Sequence, residues 1–392
     1  MSFWNQCRSF LLAACLAVAA CTTVSDRPSP ASVDALAAQA MAATGAQGLA
    51  IAVIEDGEVA FANAYGVRNG QSDPLQTDTI MYGASLTKSV FAYMVMQLVE
   101  EGEIDLDRSI AEYLPNPLPS YTSEQDEDRY AGWDSLEGDE RWRALTPRIL
   151  LTHSAGFANF GFLEPDGRLR FHFNPGERYA YSGDGLILLQ FVLERGLGLD
   201  LNAEMQRRLF EPLGMANTSL MWRPDFAANL ADGFRADGTI EPHDERSRAR
   251  ASGSMDTTID DMALFAAAFA RGDFLSRAAR WEITVSQRPI MTQSQFPTLQ
   301  APMAQQPFAS LSVGLGIIVL DGPQGRVAFK GGHNDSTGNM MVCIESGRRC
   351  VVILSNDVRA EAAFPAIVRE VLGETGVPWR WEYGDRAFWP GP

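Results

Sequence analysis

Ser85-Leu86-Thr87-Lys88-Ser89-Val90-Phe91-Ala92-Tyr93-Met94-Val95-Met96-Gln97-Leu98-Val99-Glu100-Glu101-Gly102 carries more information than any other stretch of this 392-residue chain. Val90, Phe91, Met94, Val95, Leu98 and Val99 recur at helical spacing and Gly102 follows as a terminator, so a helix is predicted to start immediately after Ser85. Positions i and i+3 share a helix face, which brings the Ser85 hydroxyl and the Lys88 amine together. A serine hydroxyl is a weak nucleophile until a neighbouring base takes its proton. Lys88 can be that base, because burial and the positive end of the helix dipole both disfavour its ammonium form.

Ser-x-x-Lys alone is a weak pattern, and composition sharpens it. Of 32 Lys and Arg residues only Lys88 and Lys330 are lysines. Arginine keeps its proton at working pH whereas lysine can release it, so a chain that otherwise uses arginine marks these two positions as chemical candidates. With 46% hydrophobic and 21% charged residues, the chain can bury a full core. A formal net charge of −17 argues against a nucleic-acid partner, which needs a basic surface to release counterions.

The N-terminus has a different character. Arg8 precedes a short apolar run from Phe10 to Ala20, and Val18-Ala19-Ala20-Cys21 closes it. The run is too short to span a bilayer and reads as an export signal over residues 1–21, with Cys21 in a lipoprotein cleavage box as the residue to be lipidated. Leu12-Ala13-Ala14-Cys15 also fits that box but would leave almost no apolar region; ordinary signal cleavage, giving a free periplasmic protein, is the alternative. Thr22 to about Ala31 reads as a tether, and residues 22–45 as tether plus the start of a first helix. The expectation is an exported bacterial envelope protein, periplasm-facing or an outer-membrane lipoprotein, held to the membrane through lipid on Cys21.

Beyond this segment only Cys343 and Cys350 remain. A two-residue hairpin turn at Ser346-Gly347 would set them opposite each other for a disulfide in an oxidising compartment; two free buried thiols are the other reading. Gly48 to Val53 and Val59 to Ala64 flank Glu55-Asp56-Gly57-Glu58 and read as a hairpin. Residues 118–145 break the pattern, with acidic residues interleaved with Tyr121, Tyr130, Trp133 and Trp142, and read as a surface insertion whose aromatics pin it to the body or line a cleft. Helices are expected at roughly 147–153, 184–197, 201–211 and 258–271. Strands are expected at 313–320, 326–330, 339–344 and 351–355, and a closing helix at 360–372. The four histidines, His153, His172, His243 and His333, show no metal-ligand spacing, so neither metal nor cofactor is expected.

Residues 48–115 resemble the opening of the serine β-lactamase-related hydrolases. The resemblance lies in Gly48-Leu49-Ala50-Ile51-Ala52-Val53, Asp56-Gly57, Ala64-Tyr65-Gly66-Val67, Ser85-Leu86-Thr87-Lys88 and the run from Leu98 to Asp107. It continues through Leu150 to Gly156, Asn174-Pro175-Gly176-Glu177, Tyr179-Ala180-Tyr181-Ser182-Gly183, Glu211 to Met215, Ala251-Ser252-Gly253-Ser254-Met255 and Gly314-Leu315-Gly316, about 310 residues in all. It implies a class C β-lactamase-type or penicillin-binding-protein-like chain, esterase branch included. The implied fold is α/β (α+β), β-lactamase/transpeptidase-like, with an antiparallel sheet flanked by helices and an inserted all-helical lobe. The catalytic domain is expected over 46–380, its helical lobe at roughly 105–250, and a C-terminal tail over 381–392.

The resemblance also implies a base role for Tyr181, shuttling protons between Ser85, Lys88 and the leaving group, with its pKa lowered by a cationic lysine. His153 is expected to be a structural hydrogen-bonder beneath the site. Two stretches depart from the family pattern. Where members carry Lys-Thr-Gly or a His-x-Gly equivalent, this chain has Lys330-Gly331-Gly332-His333-Asn334-Asp335. Lys330 through Gly332 can stand for Lys-Thr-Gly, or His333 can stand for the lysine; in either register the Ser85 N–H and one from Gly332 to Asp335 would form the oxyanion hole. Gly183 replaces the Asn with which β-lactam-processing members bind an amide side chain. The expectation is therefore a serine hydrolase acting through an acyl-serine on carboxylic esters or small amides. A D-alanyl-D-alanine carboxypeptidase-like or weakly β-lactam-hydrolysing enzyme is the runner-up, and a non-catalytic envelope binding protein a third reading.

Overall fold

The computed structural model describes residues 28–122 and 132–392. The export signal, Cys21, most of the expected tether and Tyr130 lie outside the described residues. Helix α1 (Pro30–Thr44) starts within the last residues assigned to the tether, because the Ser29 side chain accepts from the Ser32 N–H and Pro30 presets the first turn. Strands β1 (Gly48–Glu55) and β2 (Glu58–Gly66) form the expected hairpin; both Asp56 and Gly57 have positive φ, the geometry a two-residue turn demands. Short strands β3 (Arg288–Pro289) and β4 (Ser312–Val313) precede β5 (Ile318–Gly322), β6 (Gly325–His333), β7 (Gly338–Ile344) and β8 (Arg349–Ser355). The eight strands lie in the order β2-β1-β8-β7-β6-β5-β4-β3, every neighbouring pair antiparallel.

Both faces of the sheet are covered, which explains why β1 reads as continuously apolar rather than alternating. Leu49, Ile51 and Val53 join a core with α1 and helix α6 (Phe364–Leu372). Ala50 and Ala52 face the larger core that holds helix α2 (Leu86–Glu100) and helix α4 (Ile259–Arg271). Alanines on that face let a helix pack close to the sheet. Helix α3 (Gly183–Leu197) belongs to the segment between α2 and α4, and helix α5 (Arg277–Thr284) follows α4.

Several expectations change. The strand expected at 313–320 is two strands, because Gly316 at φ 68 turns the chain between Val313 and Ile318. The turn joining Cys343 and Cys350 spans four residues, 345–348, and the two cysteines face each other in register and form a disulfide. The lobe is not all-helical: Gly233-Phe234 pairs with Ile240-Glu241 across a turn at Gly238. The closing helix starts at Phe364, after a 3₁₀ stretch over Val358–Ala363. Finally, the expected tail over 381–392 is anchored at its start, since Trp381, Glu382 and Tyr383 are buried in helix α7 (Trp379–Tyr383).

Within the insertion, Trp133 is fully buried with its ring 5.6 Å from Phe191 of α3, and Tyr121 lies 4.9 Å from the same ring. These aromatics pin the segment to the lobe. Trp133→Ala is expected to destabilise the fold by about 3–5 kcal/mol in chemical denaturation, the ordinary cost of emptying a large aromatic site. Trp133→Phe is expected to lose much less, because the indole N–H has no hydrogen-bond partner among the described residues.

Candidate active site

Ser85 sits at the N-terminal end of α2, on a turn whose backbone is under strain. Ala84, just before it, has φ 47, a left-handed conformation that costs a β-carbon residue on the order of 1 kcal/mol. Neighbouring groups hold it there. Gly83 N–H donates to Met255 O at 2.8 Å, Thr87 Oγ1 donates to Ala84 O at 2.6 Å, and Asn339 Nδ2 of β7 donates to Tyr82 O at 2.9 Å. The turn is thereby fastened to the sheet, and the Ser85 side chain projects into a cavity of about 1060 Å³.

Three sequence candidates meet at one oxygen. Lys88 Nζ lies 2.9 Å from Ser85 Oγ, and the Tyr181 hydroxyl donates to the same oxygen at 2.8 Å. Lys88 also donates to the carbonyl of Ser252, the second residue of the Ala251-Ser252-Gly253 landmark. With one N–H spent on that carbonyl, a neutral amine can turn its lone pair toward Ser85. Burial pushes the Lys88 amine well below its ordinary pKa, and the nearby charge of Lys330 pushes it the same way. Neutral Lys88 is therefore the form this environment favours.

Tyr181 behaves differently from the expectation. Burial raises its phenol above the ordinary value, and the hydrogen bond to Ser85 only partly opposes that. Lys88 and Lys330 lie 4.9 and 5.2 Å from its ring centroid, but Lys88 is itself pushed toward its neutral form and neither amine outweighs the cost of burying a phenolate. The phenol stays protonated at neutral pH. His153 lies beneath it, ring centroids 4.5 Å apart, and its Nδ1 accepts from the Ser182 N–H at 3.2 Å. Burial holds His153 well below its usual pKa, as an uncharged ring.

Strand β6 forms the opposite wall. Its partner β5 pairs only with residues 325–329, so the backbone from Lys330 to His333 presents a free edge on that side. A β-carbon on Gly332 would stand 3.0 Å from Ser85 N and 2.9 Å from both Gly83 O and Leu86 N, a proximity only glycine permits. Strand alternation puts Lys330 and Gly332 on the face toward α2. Strand alternation turns His333 the other way: it too borders the cavity, but its Nδ1 lies 3.1 Å from Glu361 of the 3₁₀ stretch, whereas Lys330 Nζ lies 5.2 Å from the Tyr181 ring centroid, so these contacts favour the register with Lys330. Lys330 is buried, donates to Gly331 O at 2.6 Å, and is pushed down to about 8 by burial, with Glu382 opposing.

Three further residues shape the cavity and escaped the sequence reading. At Gly183 a β-carbon would fall 2.3 Å from Phe160, whose ring fills the space that an asparagine would need. The loop bearing Phe160 is tied to the first turn of α3: Gly183 N–H donates to Asn159 Oδ1 at 2.9 Å, and Gly161 N–H donates to Asp184 Oδ2 at 2.6 Å. Phe296 lies 5.5 Å from Tyr181 across the cavity, and buried Glu382 reaches the same wall from α7. Phe160 lies four residues beyond the Leu150 to Gly156 motif and could have been flagged from it. Nothing local marks Glu382, which lies about 50 residues beyond the strand it packs against.

A family model described as Beta-lactamase matches residues 33–372. A lovastatin esterase from Penicillium rubens is 30% identical over 203 residues, 45% of this chain, and the match spans only about half (49%) of that esterase. A D-alanyl-D-alanine-carboxypeptidase/endopeptidase from Escherichia coli is 25% identical over 318 residues, covering 73% of this chain and 76% of that protein. Among solved structures, the octameric penicillin-binding protein homologue from Pyrococcus abyssi superposes with a TM-score of 0.67 at 20% identity, over 88% of this chain and 78% of that one. At that identity the likeness carries the fold.

Proposed function

Because the chain belongs to the Beta-lactamase family of serine hydrolases, we propose that it is an exported serine hydrolase working through an acyl-Ser85 intermediate on carboxylic esters or small amides. The observation that carries this is the Ser85 hydroxyl held between a buried amine and a buried phenol, at 2.9 and 2.8 Å. In the first half-reaction Lys88 takes the Ser85 proton as Oγ bonds to the substrate carbonyl carbon. The negative charge moves to the carbonyl oxygen, where the Ser85 N–H and a backbone N–H of the free β6 edge stabilise it. On collapse the bond to the leaving group breaks. Tyr181 gives its proton to the departing oxygen or nitrogen and is reprotonated from the Lys88 ammonium. Water then repeats the sequence on the acyl carbon and releases the acid.

Esters are favoured over β-lactams by the wall at Gly183, where Phe160 occupies the space of the amide-binding asparagine. Purified protein is expected to turn over p-nitrophenyl butyrate. No turnover across a panel of p-nitrophenyl esters would remove this reading. A peptidase or weakly β-lactam-hydrolysing activity is the second reading, favoured by the carboxypeptidase relative that aligns over most of its length. Fluorescent penicillin bound covalently to wild type and not to Ser85→Ala would establish it. Export and lipid addition rest on the N-terminal sequence, and incorporation of labelled palmitate that is lost in Cys21→Ala tests them.

A further inference from the structure

In the register that takes Lys330 as the lysine, Gly331 falls where the family pattern has threonine, and what lies against it explains the glycine. A β-carbon on residue 331 would fall 2.0 Å from Oε1 of Glu382. A buried carboxylate thus occupies the space of the missing side chain. Glu382 is 5% exposed and lines the cavity, and its other oxygen is held by Gln295 Nε2, which donates to it at 2.5 Å. The carboxylate comes from α7, in a stretch outside the region of family resemblance.

The proton donor to a leaving group must face it, and Tyr181 is that donor in the mechanism above. The leaving group therefore departs into the corner bounded by Tyr181, Lys330, Phe296 and Glu382. The cations around that corner already have carboxylate neighbours. Lys330 lies in the field of Glu382; His333 and Arg386 share Glu361, whose oxygens contact both. Lys88 is buried and committed to Ser85 Oγ and the Ser252 carbonyl. Among the described residues, no cation bordering this corner is left without a carboxylate neighbour for a substrate carboxylate to replace.

We propose that Glu382 is a specificity-determining residue that selects uncharged or cationic leaving groups and rejects those carrying a carboxylate. The proposal rests on the serine-hydrolase reading and names the substrate class of that site. A substrate anion in this corner meets a fixed like charge, and a like charge placed in a low-dielectric pocket is an efficient means of exclusion.

Two matched ester pairs test it. Methyl 4-acetoxybenzoate and 4-acetoxybenzoate differ in leaving-group charge from neutral to negative; 3,3-dimethylbutyl acetate and acetylcholine differ from neutral to positive. Wild type is expected to show a kcat/KM at least about tenfold higher for the neutral member of the first pair, and no penalty for the cation in the second. Glu382→Gln is expected to narrow the first ratio by about tenfold and to shift the second against the cation. A loosened fold would move both pairs in the same direction, so opposite shifts distinguish charge selection from damage. Wild type hydrolysing 4-acetoxybenzoate as fast as its methyl ester overturns the proposal even if the variant does not fold. Ratios unchanged in a folded Glu382→Gln overturn it as well. Should neither neutral ester be cleaved while p-nitrophenyl butyrate is, charge selection in this corner is wrong for this site; should no ester be cleaved at all, the hydrolase reading itself fails.

Discussion

Ser85→Ala is expected to remove turnover, with kcat for p-nitrophenyl butyrate falling by on the order of 10⁶-fold to the level left by binding alone. The size follows from the arrangement. Lys88 and Tyr181 are both directed at one oxygen atom, and removing that atom leaves a base and an acid with nothing between them. The substitution deletes a single oxygen from a half-buried position, and the strained turn is held by backbone and by Thr87 and Asn339 rather than by Ser85, so the fold is expected to persist. Circular dichroism and thermal melting matching wild type, with kcat lower by on the order of 10⁶-fold, check both halves of this statement.

Lys88→Arg is the second large effect. Arginine keeps the positive charge but cannot release a proton at working pH, so the base is lost while the charge is kept. A loss of about 10³-fold or more in kcat/KM is expected, within the range a positioned general base contributes and beyond it where the larger side chain also crowds Ser85. The sign of the pH dependence follows from the depressed Lys88 amine. Its neutral form is active, so wild-type kcat/KM falls as pH drops through the lysine's folded pKa, well below the ordinary lysine value. Lys330, pushed down to about 8, loses its charge on the alkaline side of the same profile. A profile whose acid limb lies near 10 would contradict a buried neutral Lys88. The limb should vanish with the residual activity of Lys88→Arg.

The fold was legible where local signals were strong. The hairpin at Asp56-Gly57 needs two positive-φ residues, and an Asp-Gly pair announces them. The helix after Ser85 announces itself by spacing and brings Lys88 beside Ser85, whereas only the family resemblance marks Tyr181. The failures have physical causes. Gly314-Leu315-Gly316 sits inside an apolar run, and the run concealed the turn that divides it into two strands. The sequence shows the lysines near Tyr181 but not the burial of its phenol, and that burial sets the direction of its pKa. Glu382 was assigned to a tail because it lies just beyond the last recognisable helix, yet α7 folds back and buries it against β6. Long-range packing of this kind leaves no trace in neighbouring residues. Two of the residues that shape the cavity walls, Phe160 and Glu382, fill spaces left by glycines at 183 and 331; the glycines are visible in the sequence and their occupants are not.

The central claim is that Ser85 carries the acyl group. Incubation of the purified protein with a fluorophosphonate, followed by intact-mass measurement and peptide mapping, tests it most directly. The arrangement around Ser85 predicts one adduct per chain, mapped to Ser85, absent in Ser85→Ala, and formed faster as pH rises through the Lys88 titration. A protein that hydrolyses esters while its adduct maps to another residue, or that forms none, would contradict it.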